Sequence, residues 1–404
     1  MKRASWVDSI TSAMLSDPKL DPAAMGELSR LDETLFEAWN LGENIVLAWT
    51  LDDAELRFLA VRHYELLEPQ AMHRDSGDSR PDTHTFIDSV LAGSKFVTGG
   101  DFERLRTQFG HGARIVRAKL GRYLSKHRDL VSVLVTRYSV SLVRERAVVL
   151  IDAVNFSLYS PLEQVAMLNS LSYSVNSAYR QLAATDVQIN FARTTTGDGF
   201  YIWNRLPTIE ANIALYKLLL LILADNAVAQ SRARRFPVPR LRAAFHVGEH
   251  YEFYQVEALN PTTFSYIVGP VTIDLSRFLE HALPGQILLG DFSIAMRDPT
   301  SASESAGSTL DFISRTAVLL NDLQGLGVAN DRVANIRCYL TGAPDADGGF
   351  AVRRYRLRDK HALTHHVYNA KINIHLEHGE PIFLGYQDKD LHPPGEPPLW
   401  LAGE

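Results

Sequence analysis

Cysteine is almost missing from this chain: Cys338 is the only one in 404 residues. That excludes an internal disulfide framework and a thiolate zinc cluster, and it fits a reducing compartment. An excess of positive charge is missing too. The 41 Lys and Arg against 47 Asp and Glu leave a formal net charge of −6, so no basic surface points to nucleic acid or a membrane. No signal-peptide pattern opens the sequence. The most apolar segment, Ile213 to Leu223, is interrupted by Lys217 and closed by Asp225, and reads as too short to span a bilayer. No Walker lysine motif occurs, which excludes a P-loop enzyme. What is present, 46% hydrophobic and 22% charged residues, is ordinary for a soluble protein of two or three domains. The expected location is the cytoplasm.

Residues 1–140 read as a mostly helical region without a catalytic motif, with apolar residues at mixed three- and four-residue spacing around Leu35, Trp39, Ile45 and Leu56 to Leu67. Pro69 to Pro81 reads as a linker. A second helical stretch, Phe86 to about His127, carries Arg104, Arg106, Arg114, Arg117, Lys119 and Arg122. Those cations suit a solvated face, with phosphate contact as the alternative. Leu130 to Val140 has the composition of a strand.

The informative part begins near residue 141. Arg146 to Asp152 is a buried-type strand ending on a carboxylate, and a helix follows from Pro161 to about Leu182. A strand from Val187 to Arg193, a Gly197-Asp198-Gly199 turn and a strand from Phe200 make a hairpin with Asp198 at its tip. The helix Ile209 to Gln230 and a strand from Leu241 to Val247 complete the order β-α-β-β-α-β, the ferredoxin-like unit. In that topology the first strand lies antiparallel beside the third, so Asp152 and Asp198 meet at one sheet edge. Paired carboxylates with no cysteine or histidine pair nearby suit Mg²⁺ or Mn²⁺, and two such ions serve phosphoryl chemistry. The plainer reading is a strand-end Asp capping the next helix and an unrelated turn Asp.

Four motifs then resemble class III nucleotidyl cyclases in order and spacing across about residues 145–295. They are Leu150-Ile-Asp-Ala-Val-Asn-Phe-Ser157, Thr194-Thr-Thr-Gly-Asp198, Arg242-Ala-Ala-Phe-His-Val-Gly248, and Tyr266-Ile-Val-Gly269 leading to Leu283-Pro-Gly-Gln-Ile-Leu288. The resemblance implies two metal ions on Asp152, Asp198 and the backbone carbonyl of Ala153. It implies a triphosphate held by amides of Asn155, Phe156 and Ser157, and a transition-state arginine at Arg277, whose plainer role is a helix-surface ion pair. It also implies a homodimer with composite sites. The family's base-reading positions hold Thr194 and Pro270, which match neither the adenine nor the guanine set. The ribose asparagine falls on Ile273, with Asp274 one residue away.

After a polar gap, residues 299–404 read as a helix and then strands through Val367, Ile372, Ile374 and Pro381 to Gly385. His361, His365, His366 and His375 read as hydrogen-bonded or surface histidines with no acidic partner to complete a metal site. This segment resembles the AGS-C domain of bacterial antiphage cyclases, and Lys360 takes the place of a pyrophosphate-binding lysine. With its non-purine base positions, the chain resembles the uridylate cyclases of Pycsar defence. That implies UTP as substrate, cyclic UMP as product and a separate effector. A cytidylate or purine cyclase, or a silent nucleotide sensor, are the alternatives. The expected fold is α+β, with domains at 1–140, 141–298 and 299–404.

Overall fold

The computed structural model describes residues 22–53, 55–67, 83–185, 187, 190–234, 237–257, 260–297, 304–328, 330–343, 351–391 and 401–402. The expected linker at 69–81 lies outside them. The chain forms two compact units, residues up to Arg144 with His250–Val268, and Glu145–Glu249 with Gly269 onward.

The first unit is built on an antiparallel sheet in the order β1-β2-β3, where β1 is Asn44–Asp52, β2 is Glu55–Arg62 and β3 is Ala113–Lys119. Helices α1 (Pro22–Trp39), α2 (Thr83–Ala92), α3 (Gly99–Phe109) and α4 (Arg128–Thr136) accompany it. The expectation of a mostly helical region is therefore corrected at its centre. Strand β1 has a core on each face. Val46 and Trp49 join Leu28, Leu35 and Val131, while Ile45 and Leu47 join Ile87, Leu91 and Phe109. A strand buried on both faces loses its alternation, and its unbroken apolar run looks like a buried helix. The reverse error occurs at 130–140, where the Val- and Leu-rich run expected as a strand is α4. Its buried residues Leu130, Val131, Leu134 and Val135 follow the helical period. Arg114, Arg117 and Lys119, expected on a helix, project from β3.

Strand β4 (Ser141–Ala153) leads into the second unit, followed by α5 (Pro161–Ala183), β5 (Phe191–Thr195), β6 (Gly199–Asn204), α6 (Ile209–Arg232) and β7 (Leu241–Glu257). Strand β5 thus starts later than the Val187 the sequence suggested, and residues 188–189 lie outside the described ones. Strand β8 (Asn260–Val268) pairs back on the outer part of β7. Helix α7 (Pro270–His281), β9 (Ile287–Gly290), β10 (Ser293–Arg297), β11 (Glu304–Ser308), α8 (Thr309–Leu319), β12 (Gly327–Val328), β13 (Asp331–Leu340), β14 (Arg354–Arg358), β15 (Thr364–Leu376) and β16 (Ile382–Gly385) follow. The main sheet runs β12-β13-β15-β9-β7-β4-β6-β5. The C-terminal strands join it directly, through Tyr368 beside Leu289. The class is mixed α+β, as expected.

Helix α6 is longer than its apolar segment suggested, at 24 residues, and is long and apolar enough to cross a bilayer by composition. It is instead largely buried: 83% of its most apolar 18-residue stretch lies inside the protein. Its apolar residues run all round because it lies in the core with α5, against Val149, Ile151, Ala243 and Phe245 of the sheet. Lys217, the one charge in its centre, reaches Asp322 at 2.9 Å.

Candidate active site

Core-facing Ile151 and Ala153 leave Asp152 on the opposite face of β4, by the two-residue period of a strand. The same parity puts Arg242 and His246 on that face of β7, between core-facing Leu241, Ala243, Phe245 and Val247. Asp152 pairs in register with Gly199, and the amide of Ala153 donates to the carbonyl of Asp198 at 3.1 Å. The hairpin tip is thereby stitched to the end of β4. Gly199 is required there, because a Cβ would lie 1.9 Å from the carbonyl oxygen of Ile151.

Asp152 is only 8% exposed. Burial pushes its carboxyl up to about 6; the hydrogen bond and charge of Arg242 oppose that, while the adjoining Asp198 carboxylate adds to it. Arg242 Nε donates to Asp152 Oδ2 at 2.6 Å. Two carboxylates and one guanidinium leave an excess of negative charge in a partly desolvated place, which fits a divalent cation. Asp152 and Asp198 are the carboxylates that could hold it.

The chain turns sharply after Ala153. The amide of Val154 donates to the carbonyl of Arg240 at 2.9 Å, and Asn155 takes the left-handed conformation with φ of 58°. Asparagine tolerates that region better than most residues, which accounts for its presence at this turn. Phe156 to Leu158 form one helical turn, and Gln164 Nε2 donates to the carbonyls of Phe156 and Tyr159. Exposed Asn155 and Ser157 and half-buried Phe156 thus follow Asp152 directly.

Thr194 lies beside Tyr201, which lies beside Leu150, so Thr194 shares the face of Asp152. Tyr201 Oη donates to the carbonyl of Thr272 at 3.0 Å, tying the hairpin to the first turn of α7. Pro270 is exposed at the start of that helix, and Ile273 is 57% exposed.

Arg277 belongs to a different group. Arg277 Nη1 meets Glu280 at 2.6 Å and its Nε lies 3.5 Å from Asp359, the neighbour of exposed Lys360. His365 stands between Asp359 at 3.4 Å and Asp274 at 3.1 Å, and Asp274 also faces His246 at 3.6 Å. His365 therefore has acidic partners on both ring nitrogens, which corrects the expectation of none. His246 is four residues beyond Arg242 on β7, about 13 Å at the rise of a strand. The parity of Arg242 and Asp152 was available in the sequence; the link from α7 to β15 through His365 was not, because it depends on how the C-terminal strands join the sheet.

Among the described residues, a further His/Asp/Glu cluster able to hold a cation is Asp331, Glu377 and His378. Asp331 is held down to about 2, first by the amide of Arg332 and also by those of His378 and Gly379. Those bonds make it a staple between the start of β13 and the turn after β15.

No model of a known protein family matches the chain, and no curated protein matches it. Solved structures similar to it include the guanylyl cyclase Cya2, at 14% identity and a TM-score of 0.34 over 56% of this chain and 91% of that one. The adenylyl cyclase CyaB from P. aeruginosa matches at 12% and 0.34, over 57% and 95%. The guanylate cyclase domain of RhGC from Catenaria anguillulae, in complex with GTP, matches at 12% and 0.31, over 42% and 97%. At these values function has to be read from the chain's own residues.

Proposed function

We propose that the chain is a nucleotidyl cyclase of class III type that converts a nucleoside triphosphate, UTP in the first instance, to the 3′,5′-cyclic monophosphate and pyrophosphate. The observation that carries this reading is the meeting of Asp152 and Asp198 beside the turn at Val154–Ser157, with the Asp152 carboxyl raised by burial. Residues 141–298 make the ferredoxin-like catalytic domain in this reading, and 299–404 an AGS-C-like domain.

Bound Mg²⁺ or Mn²⁺ would lower the pKa of the ribose 3′-hydroxyl and offset charge on the phosphates. Asp152, Asp198 and the Ala153 carbonyl would hold the ions, and the amides of Asn155, Phe156 and Ser157 would orient the triphosphate tail. The 3′-hydroxyl releases its proton to solvent, its oxygen bonds to the α-phosphorus as the bond to the β-phosphate oxygen breaks, and pyrophosphate leaves. Thr194 and Pro270 border the base. Neither supplies the charged or thiol partner that the purine cyclases carry at those places, which supports a pyrimidine. Arg277 would act on the site of a partner subunit, since within one chain it pairs with Asp359 and Glu280, and Lys360 would contact pyrophosphate there. A homodimer with two composite sites follows, and the cyclic product would signal to a separate effector in antiphage defence.

A second reading, a silent nucleotide-binding module, is favoured by one contact: Arg242 already supplies Asp152 with a cation. Purified protein with Mn²⁺ and each of the four triphosphates, its products separated by chromatography, decides. Cyclic UMP is the expected product. Cyclic AMP alone would overturn the pyrimidine assignment, and no cyclic product from any triphosphate would leave the silent module.

A further inference from the structure

We infer that one face of β14 is a docking surface for the phosphate backbone of a single-stranded nucleic acid. The strand reads Arg354-Tyr355-Arg356-Leu357-Arg358, and its burial alternates in step: the three arginines are exposed, while Tyr355 and Leu357 are 1% and 2% exposed. Alternate residues of a strand share a face about 7 Å apart, so three guanidiniums stand in a row on one side of the sheet.

The same parity sends the neighbouring carboxylates to the other side. Asp359, in step with Tyr355 and Leu357, faces Arg277 and His365. Asp388 takes Arg353 at 3.3 Å and the hydroxyl of Tyr355. On the arginine side Asp291 pairs with Arg354. Arg356 and Arg358 make no ion pair among the described residues. Strand β15 adds no negative charge, since Tyr368, His366 and Thr364 lie opposite Arg354, Arg356 and Arg358. Burial, and then the charge of Arg354, hold the His366 imidazole below its ordinary value; Arg356 acts in the same direction and Asp291 against it. At neutral pH His366 therefore brings a ring N–H and no charge to a face where cations outnumber anions.

Like charges gathered on one face repel, whereas a merely solvated surface mixes its signs. A polyanion turns that repulsion into binding, because each phosphate met by a cation releases a condensed counterion. The row is straight and one residue wide. Its step of about 7 Å is close to the separation of successive phosphates along an extended strand, and a single row follows one backbone where a duplex presents two. Arginine suits phosphate, whose oxygens it meets with two N–H groups at once. The net charge of −6 conceals this surface, because strand parity and not composition gathers the cations. The inference does not rest on the cyclase reading, and Lys360 is not part of it.

Fluorescence anisotropy of labelled oligouridylate and oligothymidylate tests it, with the full chain, no divalent metal, and a DNA duplex and phosphatidylserine vesicles for comparison. The single strands should bind, with an affinity that falls about tenfold between 50 and 200 mM salt, the slope of two to three phosphate contacts. Arg356→Gln combined with Arg358→Gln should weaken binding about tenfold or more at 50 mM salt and remove most of the salt dependence. Arg356→Lys combined with Arg358→Lys should keep that dependence, since a phosphate also accepts a point charge. Arg114→Gln combined with Lys119→Gln, on β3, should change nothing. Failure of both single strands to bind at 50 mM salt would overturn the inference, as would binding that the two Gln substitutions on β14 leave unchanged. So would a parent that binds only the duplex, or that binds the vesicles and no oligonucleotide.

Discussion

The guanidinium of Arg242 lies 2.6 Å from the Asp152 carboxylate, on the neighbouring strand of the sheet. This contact is the internal competitor of any cation bound there. Replacing Arg242 by Met leaves a buried carboxylate with no counter-charge. The variant should melt several degrees lower than the parent at pH 7, on the scale expected for an unpaired buried charge. Added Mn²⁺ should raise its melting temperature more than it raises that of the parent. Thermal denaturation with and without the metal reads both effects.

The raised Asp152 carboxyl sets a pH dependence of definite sign. Its folded value of about 6 exceeds the ordinary 3.8, so between these the folded chain keeps a proton that the unfolded chain has released. The stability linked to that proton is fully present below about pH 4 and is lost as pH rises through 6. Asp152→Asn should therefore match the parent at pH 4 and melt a few degrees higher at pH 7 to 8. For metal binding the sign is opposite. Mn²⁺ affinity of the parent should rise about tenfold per pH unit below 6 and level off above it.

Much of the second unit was legible in the sequence because its signals are local. The strand ending on Asp152, the glycine-flanked Asp198 and the proline that opens α5 each declare themselves within a few residues. The juxtaposition of the two carboxylates needed one topological step, supplied by the element order. In the first unit the strand at Ile45 to Trp49 was not legible, because cores on both faces remove the alternation that marks a strand. The surroundings of Arg277 were hidden for another reason. Asp359 and His365 are more than eighty residues away, and their approach to α7 follows from β15 pairing with β9.

Backbone geometry at the site gives a test independent of catalysis. Asn155→Gly should be tolerated, since glycine enters the left-handed region freely, whereas Asn155→Val should cost about 1–2 kcal/mol. Gly199→Ala should be worse, because its Cβ would meet a backbone carbonyl and not a movable side chain. Chemical denaturation of the three variants orders them.

The split between the carboxylates and the Arg277 group predicts complementation. Asp152→Ala and Arg277→Ala should each be inactive alone. In the proposed homodimer, mixing them with subunit exchange should recover about a quarter of the parent activity, because half of such dimers would be mixed and each of those would have one intact site. Pyrophosphate release before and after mixing measures it. No recovery would mean that the site is completed within one chain or that Arg277 serves only the fold.

Anomalous diffraction from a crystal grown with Mn²⁺ and a non-hydrolysable triphosphate addresses the central claim most directly. Metal peaks should lie between the carboxylates of Asp152 and Asp198, with Arg242 displaced from its 2.6 Å contact. A Mn²⁺ peak only at Asp331, Glu377 and His378, or none beside Asp152 with the Arg242 contact intact, would contradict it.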